Sequence, residues 1–163
     1  MKKCAVIGSI NMDMVLSVPR FPAAGETLTG GNFQTMPGGK GANQAVALGR
    51  LGAPVRMAGR VGDDAFGRRY LDHFRKNGVD VRAVDAVAGT ATGVADILVN
   101  AAGENCIVIA PGANGLCDLE WLERALEATA DCEIFLLQLE IPLDTVAEAV
   151  RQLRKMGKTI LLD

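Results

Sequence analysis

The sequence contains a single histidine and no closely spaced pair of cysteines, and these shortages exclude several kinds of site. Because His73 is the only histidine, neither a histidine-based catalytic triad nor a histidine metal cluster is expected. None of the four cysteines forms a Cys-x-x-Cys pair, and three of them lie in or beside apolar runs. We therefore expect buried free thiols in a reducing cytoplasm and no zinc site.

An excess of charge of either sign is also lacking, as are long apolar runs. Lys and Arg total 17 against 19 Asp and Glu, without a basic stripe, so no nucleic-acid partner is expected. No uncharged apolar run approaches the roughly 18 residues needed to cross a bilayer, so no membrane partner is expected either. The start of the chain, Met1-Lys2-Lys3 followed by a strand-like run, is not typical of a signal peptide.

Apolar residues and glycine are abundant, and their arrangement predicts the fold class. Hydrophobic residues make up 49% of the chain and 19 of its 163 residues are glycine, which excludes a disordered or collagen-like chain. Short apolar runs alternate with helical segments, as in strand–helix–strand units of a parallel sheet. The sequence therefore predicts an α/β fold, a three-layer sandwich around a mostly parallel sheet, with strands at 3–9, 55–61, 133–139 and 159–162.

Two further segments predict a small second sheet. Residues 15–35 contain short alternating pieces interrupted by proline and glycine, which indicates small antiparallel strands. Residues 92–100 and 105–110 predict a hairpin, and its first strand is apolar on both faces, with Ala95 and Ile97 on one of them. Because such a strand lies outside the main sheet, we expect another surface to cover it.

The chain ends on an apolar strand, residues 159–162. A parallel strand buried on both faces is not a usual last element, because its outer edge leaves backbone groups unpaired. We therefore expect residues 1–163 to be the N-terminal part of a longer α/β protein. The alternative is a complete small domain whose final strand closes one edge of the sheet.

The segment 38–43, with the sequence GGKGAN, opens a helix expected over residues 42–51. Its glycines allow a backbone to approach a ligand closely, and the free amides of a helix start attract anions or hydroxyl oxygens. The segment is not a P-loop, since Gln34 stands where the first glycine is needed and no Ser or Thr follows Lys40. A tight turn that packs a helix closely on a sheet explains the glycines equally well.

Three polar side chains follow predicted strands. Asn11 and Asp13 come just after the first strand, and Glu140 follows the strand at 133–139. Ligands bind at the carboxyl ends of the strands in open α/β sheets, where Asp13 can accept and Asn11 can both donate and accept a hydrogen bond. The alternatives are a turn-forming pair for Asn11 and Asp13 and a helix cap for Glu140. A glycosidase pair of carboxylates also stays open, because nothing in the sequence sets their separation.

Taken in order along the chain, seven motifs resemble the N-terminal part of the ribokinase-like (PfkB) carbohydrate kinases. The resemblance covers essentially all 163 residues, and the motifs are highly specific when taken together. They are 8–13 (GSINMD), 22–27 (PAAGET), 38–45 (GGKGANQA), 59–67 (GRVGDDAFG), 92–95 (TGVA), 111–114 (PGAN) and 137–142 (LQLEIP).

The resemblance implies ATP-dependent transfer of the γ-phosphoryl group to a sugar hydroxyl, with ATP and Mg²⁺ as cofactors and a monovalent cation as a further option. The glycine-rich turn would then serve the sugar and not the nucleotide. Strands within 15–35 and 92–110 would form a β-sheet lid that closes over the sugar, with Ala95 and Ile97 as its lining. The implied sugar-binding residues are Asn11, Asp13, Gly39, Lys40, Asn43 and Glu140.

The family's catalytic aspartate lies in a glycine-rich segment beyond position 163, together with most nucleotide and magnesium contacts. The resemblance therefore implies a chain that carries only the sugar-binding half and is inactive alone, in a cytoplasmic homodimer joined through the lid. The wording of the motifs favours ribose, converted to ribose 5-phosphate. The alternatives are another sugar or a nucleoside as acceptor, a non-catalytic sugar-binding module, and a dinucleotide oxidoreductase, for which the G-x-G-x-x-G motif is missing.

Overall fold

The chain folds into two β-sheets with four α-helices, and the computed structural model describes all residues from 1 to 163. The second sheet, formed by β2, β3, β6 and β7, is called the lid below. The strands are β1 (Cys4–Ile7), β2 (Asn11–Ser17), β3 (Gly31–Gly38), β4 (Val55–Gly62), β5 (Val79–Val87), β6 (Gly93–Val99), β7 (Asn105–Ala110), β8 (Ile134–Leu137) and β9 (Thr159–Leu162). The helices are α1 (Lys40–Arg50), α2 (Ala65–Lys76), α3 (Leu119–Ala128) and α4 (Leu143–Lys155), with a 3-10 turn at Gly112–Leu116.

The main sheet is parallel throughout and has the strand order β5-β4-β1-β8-β9. Its central strand is buried on both faces: Val6 packs with α1 and α2, and Ile7 packs with α3 and α4. Strands covered by helices on both sides need continuous apolar runs, which is the pattern that the sequence shows. The predicted α/β fold, a three-layer sandwich around a parallel sheet with a small second sheet, is confirmed.

The lid is a mixed sheet in the order β3-β2-β6-β7. The predicted hairpin is present as β6 and β7, which pair antiparallel. The prediction for 15–35 was wrong in two details: β2 and β3 reach out to Asn11 and Gly38, and β2 has β6 as a parallel neighbour. Prolines and glycines in the sequence indicate the connection between β2 and β3 but not the full length of the two strands. No local sequence pattern predicts that Asn11 pairs with the distant Gly93.

One strand of the main sheet, β5, was absent from the sequence-based prediction. Charged residues interrupt its apolar pattern, as at Asp80, Arg82 and Asp85. The strand lies at an edge of the sheet, so only part of it needs to be apolar. Val79 is buried on the side of the sheet covered by α1 and α2, and Ala83 on the side covered by α3 and α4.

The helices differ in how their first turns are capped: α2 and α3 have side-chain caps, and α1 has none. Aspartate side chains cap α2 and α3: Asp64 accepts from the Gly67 amide at 2.7 Å and Asp118 from the Trp121 amide at 2.8 Å. Helix α1 begins at Lys40, two residues earlier than predicted, and has no side-chain cap of its own because Gly39 occupies that position. Its first amides must therefore find partners elsewhere in the fold.

Two observations concern burial at sheet edges. Within residues 1–163, Leu161 and Leu162 of the last strand are 52% and 54% exposed, and β9 pairs with β8 alone. All four cysteines are free, but Cys106 is exposed on β7, the edge strand of the lid, while the other three are buried. None of the helices combines the length and the apolar character that a membrane span requires.

Candidate functional site

A cavity of about 200 Å³ lies where the lid faces the carboxyl ends of β1 and β8. The structure brings together around it all six residues expected to bind sugar and both residues expected to line the lid. Two further lining residues, Ile107 and Ile109, come from β7. The complete lining is Asn11, Asp13, Gly39, Lys40, Asn43, Ala95, Ile97, Ile107, Ile109 and Glu140.

Asn11 and Asp13 lie on a strand and not in a turn, so the turn-forming alternative is wrong. Both belong to β2, and residues two positions apart on a strand project from the same face. Burial raises the pKa of Asp13, and the negative charge of Glu140 raises it further. No protein hydrogen bond contributes to that pKa, so the Asp13 carboxylate is a half-buried acceptor without a donor.

The two glycines before α1 form a tight turn against β2. Gly39 has a φ of +89°, and a Cβ atom there would lie 2.8 Å from the Asn11 amide nitrogen. A side chain at this position would therefore be strained and would collide with backbone. The close approach brings the first turn of α1 against the strand that carries Asn11 and Asp13, as the tight-turn alternative predicts.

The amides at the start of α1 are already occupied by protein acceptors, so of the two interpretations of the glycine-rich segment the structure favours the tight turn over an anion site. The Lys40 amide donates to Glu140 Oε2 at 3.0 Å and the Gly41 amide to Ser9 Oγ at 3.3 Å. The Ala42 amide donates to the Ser9 carbonyl oxygen at 2.9 Å. The helix is thus capped by Ser9 and Glu140, which follow β1 and β8.

The alternative for Glu140, a cap on the helix that follows it, is wrong, because Glu140 caps α1 and α4 has no side-chain cap. Its Oε2 accepts from Ser9 Oγ at 2.7 Å as well as from the Lys40 amide. Its Oε1 has only the Lys40 ammonium group nearby, at 3.9 Å. One oxygen therefore anchors the carboxylate, and the other is available to a ligand.

Ser9 is a polar residue of this site that sequence reasoning missed. It is fully buried, and its hydroxyl joins the end of β1 to Glu140, 131 positions away. The only sequence signal is its place directly after a buried strand, at the sheet edge where Glu140 also lies. That signal locates the residue but does not reveal its partner.

Lys40 and Asn43 lie exposed on the first turn of α1. Lys40 supplies an ammonium group and Asn43 a side-chain amide, and neither makes a close hydrogen bond within the protein through its side chain. Together with the two carboxylates they provide both donors and acceptors on one side of the cavity. A sugar hydroxyl needs both.

The opposite wall of the cavity is apolar and belongs to the lid. Ala95 pairs across the hairpin with Ile109, and Ile97 pairs with Ile107, so the four side chains share one face of the lid. Sequence reasoning named the first strand only, although the hairpin register was available to predict the second. A wall of this kind can cover the carbon-bound hydrogens of a ligand while the other wall binds its hydroxyls.

The parallel strands end at a cavity that has hydrogen-bonding groups on one wall and a β-sheet cover on the other. This arrangement defines an α/β protein that encloses a small polar ligand. Comparison with known proteins identifies the family. The chain belongs to the pfkB family of carbohydrate kinases, whose model matches residues 1–163.

Individual relatives are similar over the whole chain. Ribokinase from Bacillus subtilis is 43% identical over 163 residues, which are 100% of this chain and 55% of the relative. Deoxyribokinase from Salmonella typhi is 40% identical over 98% of this chain and 52% of its own length. The solved structure of Arabidopsis thaliana ribokinase complexed with ribose and ATP superposes with a TM-score of 0.85 at 33% identity, covering 99% of this chain and 53% of that one. The chain spans about half the length of these relatives.

Proposed function

We propose that the full-length protein is an ATP-dependent sugar kinase that phosphorylates ribose to ribose 5-phosphate, and that residues 1–163 supply its sugar-binding half. The observation that carries the proposal is the meeting of Asn11, Asp13 and Glu140 in one lid-covered cavity. The similarity to a ribokinase solved with ribose and ATP supports it. Family membership supports the reaction class.

The residues of the cavity have distinct proposed roles. Asn11 and Asp13 hold neighbouring sugar hydroxyls, and Glu140 accepts from another through its free Oε1. Gly39, Lys40 and Asn43 line the wall beside α1. Ala95 and Ile97 cover the apolar side of the sugar, and the closed lid excludes water from the reacting hydroxyl.

The same cavity does not fit a nucleotide polyphosphate. It contains two carboxylates against one ammonium group, and the helix amides that attract phosphate elsewhere are occupied by Ser9 and Glu140. We therefore propose that ATP, Mg²⁺, any monovalent cation and the catalytic aspartate are held by a part of the full-length protein beyond position 163. No step of phosphoryl transfer is assigned to the residues of this cavity.

The test is ADP formation by the full-length protein with ATP, Mg²⁺ and ribose. We expect turnover with ribose, and kcat/KM at least about tenfold lower in Asp13→Asn and Glu140→Gln, since each removes a charged hydrogen-bond acceptor. Glu123→Gln, at an exposed position of α3, is the matched control and should be unaffected. Absence of turnover with every pentose, hexose and nucleoside would refute the proposal, and residues 1–163 alone should phosphorylate nothing.

Deoxyribose is the second acceptor to test, because a relative named deoxyribokinase is 40% identical to the chain. Ribose and 2-deoxyribose should be compared by kcat/KM in the same assay. If ribose binds by calorimetry but is never phosphorylated, the protein is a sugar-binding module and not a kinase.

We also propose that the full-length protein forms a homodimer through the lid, in a reducing compartment that keeps its cysteines free. Phe33 and Val108 are 60% and 68% exposed, and the strand register places both on the lid face opposite the one that carries Asp13. Exposed apolar side chains on a sheet favour association. Light scattering should give a dimer that Val108→Asp weakens, and a monomeric wild-type protein would refute the idea.

A further inference from the structure

Asn114 lies on the 3-10 turn Gly112–Leu116. Its side-chain amide makes hydrogen bonds to the backbone of Ile10 and to the side chain of Asn11. Its Oδ1 accepts from the Ile10 amide at 2.9 Å. Its Nδ2 donates to the Ile10 carbonyl oxygen at 3.0 Å and to Asn11 Oδ1 at 2.8 Å. Asn114 is 1% exposed, so no water competes for these bonds.

The orientation of the Asn114 amide is fixed by these partners. If the amide were turned over, its NH₂ group would face the Ile10 N–H and its oxygen would face the Ile10 carbonyl oxygen. Both contacts would leave buried groups unsatisfied. The backbone of Ile10 therefore dictates that Asn114 presents a donor to Asn11.

Gly93 provides the space for this contact. It pairs with Asn11 between β2 and β6, and a Cβ atom there would lie 2.3 Å from Asn114 Nδ2 and 2.4 Å from Asn11 Oδ1. Any larger residue would displace the two amides. The absence of a side chain at position 93 thus keeps the Asn114–Asn11 hydrogen bond in place.

The consequence concerns which end of the Asn11 amide meets a ligand. Its oxygen is turned to Asn114, whereas its Nδ2 donates to no acceptor in the protein. The expectation that Asn11 acts as both donor and acceptor is therefore replaced by a donor role. Beside it on the same strand face, the carboxylate of Asp13 is an acceptor without a donor.

We propose that Asn114 is a positioning residue that fixes Asn11 as a hydrogen-bond donor next to the Asp13 acceptor. This inference rests on the proposed function, because the ligand in question is the sugar. A hydroxyl at this place accepts from Asn11, and the same hydroxyl or its neighbour donates to Asp13. The pair therefore favours a hydroxylated carbon over a deoxy carbon at the matching position of the sugar.

Asn114→Asp in the full-length protein tests the inference with almost no change of shape. The new carboxylate cannot donate, so Asn11 is expected to turn its NH₂ group toward it and its oxygen toward the cavity, beside the Asp13 oxygens. Asn11→Asp keeps the bond from Asn114 but also faces the cavity with an acceptor. Asn105→Asp, at an exposed position of β7, is the control for the change of charge.

We expect both test variants to raise the KM for ribose about tenfold, the cost of one hydrogen bond, with kcat changed less than about twofold. The preference for ribose over its 2-deoxy or 3-deoxy analogue should shrink by a similar factor, whichever analogue lacks the hydroxyl concerned. A merely structural role of Asn114 would lower the melting temperature without altering this preference. The control variant should match the wild type in all three measurements.

Calorimetry with ribose and no nucleotide repeats the comparison without catalysis. If the wild type binds ribose but phosphorylates no sugar, the proposed function fails while the expected tenfold rise in Kd still supports the role of Asn114. An unchanged KM and Kd in folded Asn114→Asp protein would overturn the inference. Should that variant not fold, an unchanged KM and Kd in Asn11→Asp would overturn it equally.

Discussion

Replacing Glu140 with alanine should destabilise the fold itself, and not only the binding of sugar. Glu140 Oε2 is the common acceptor for Ser9 Oγ at 2.7 Å and the Lys40 amide at 3.0 Å. Ser9 is fully buried, so its hydroxyl would lose its acceptor where water does not replace it. The start of α1 would also lose the negative charge that faces its dipole.

The expected loss follows from these contacts. Each hydrogen bond to a charged group contributes about 1.5–3 kcal/mol, but the Glu140 side chain is 23% exposed, and water would satisfy part of what is lost at Lys40. We therefore expect the free energy of unfolding to fall by about 2–4 kcal/mol. For a protein about twice the length of residues 1–163, that corresponds to a melting temperature lower by roughly 3–6 °C.

Thermal denaturation of the full-length protein, followed by circular dichroism, measures the loss. Glu123→Ala is the matched control, because Glu123 is exposed on α3 and makes no ion pair within the protein. Glu140→Gln keeps one acceptor oxygen and should lose less than half as much as Glu140→Ala. If Glu140→Ala and Glu123→Ala melt at the same temperature, the capping of α1 by Glu140 has no energetic weight and the reasoning fails.

Three further predictions use groups around the site. The pKa of Asp13 is raised by burial and by Glu140, so its ionised form destabilises the fold above the unfolded pKa of about 3.9. Asp13→Asn should therefore raise the melting temperature at neutral pH and raise it less in acid. Calorimetry should show a lower ribose affinity for the same variant. Burial alone would raise the pKa of Asp64, but its bonds from Thr92 and Gly67 lower it. Asp64→Asn should thus cost about 1–2 kcal/mol at neutral pH, a difference that disappears in denaturation curves taken below the folded pKa. Cys106 is exposed in the single chain but lies with Val108 on the lid face proposed as the dimer interface, so its thiol should react slowly in the dimer and faster in Val108→Asp; an equal rate in both proteins would contradict the dimer.

The fold was predictable wherever a residue's neighbours in sequence decide its environment. Strands such as β1 and β8 are apolar because helices cover both of their faces, and Asp64 and Asp118 cap helices that begin at the next residue. The edge strand β5 was not predictable in this way, since its environment differs along its length. Its position at the edge is set by packing, and local sequence does not report packing.

The candidate site shows the same division. Asn11, Asp13 and Glu140 were predictable because residues that follow parallel strands meet at one edge of the sheet. Their hydrogen-bond partners were not, because Ser9 reaches Glu140 across 131 positions and Asn114 reaches Asn11 across 103. Contacts at such separations leave no periodic trace in the sequence.

The order of apolar runs, caps and glycines in the chain was thus enough to determine an α/β sandwich with a second sheet and to single out the polar residues at its edge. Only the tertiary structure decided what those residues can do: which helix Glu140 caps, which amides of α1 are occupied, and which end of the Asn11 amide faces the cavity. The physical reason is that a hydrogen bond depends on distance and direction between particular atoms. Those are set when separate strands and turns pack together, and not by the residues adjacent in the chain.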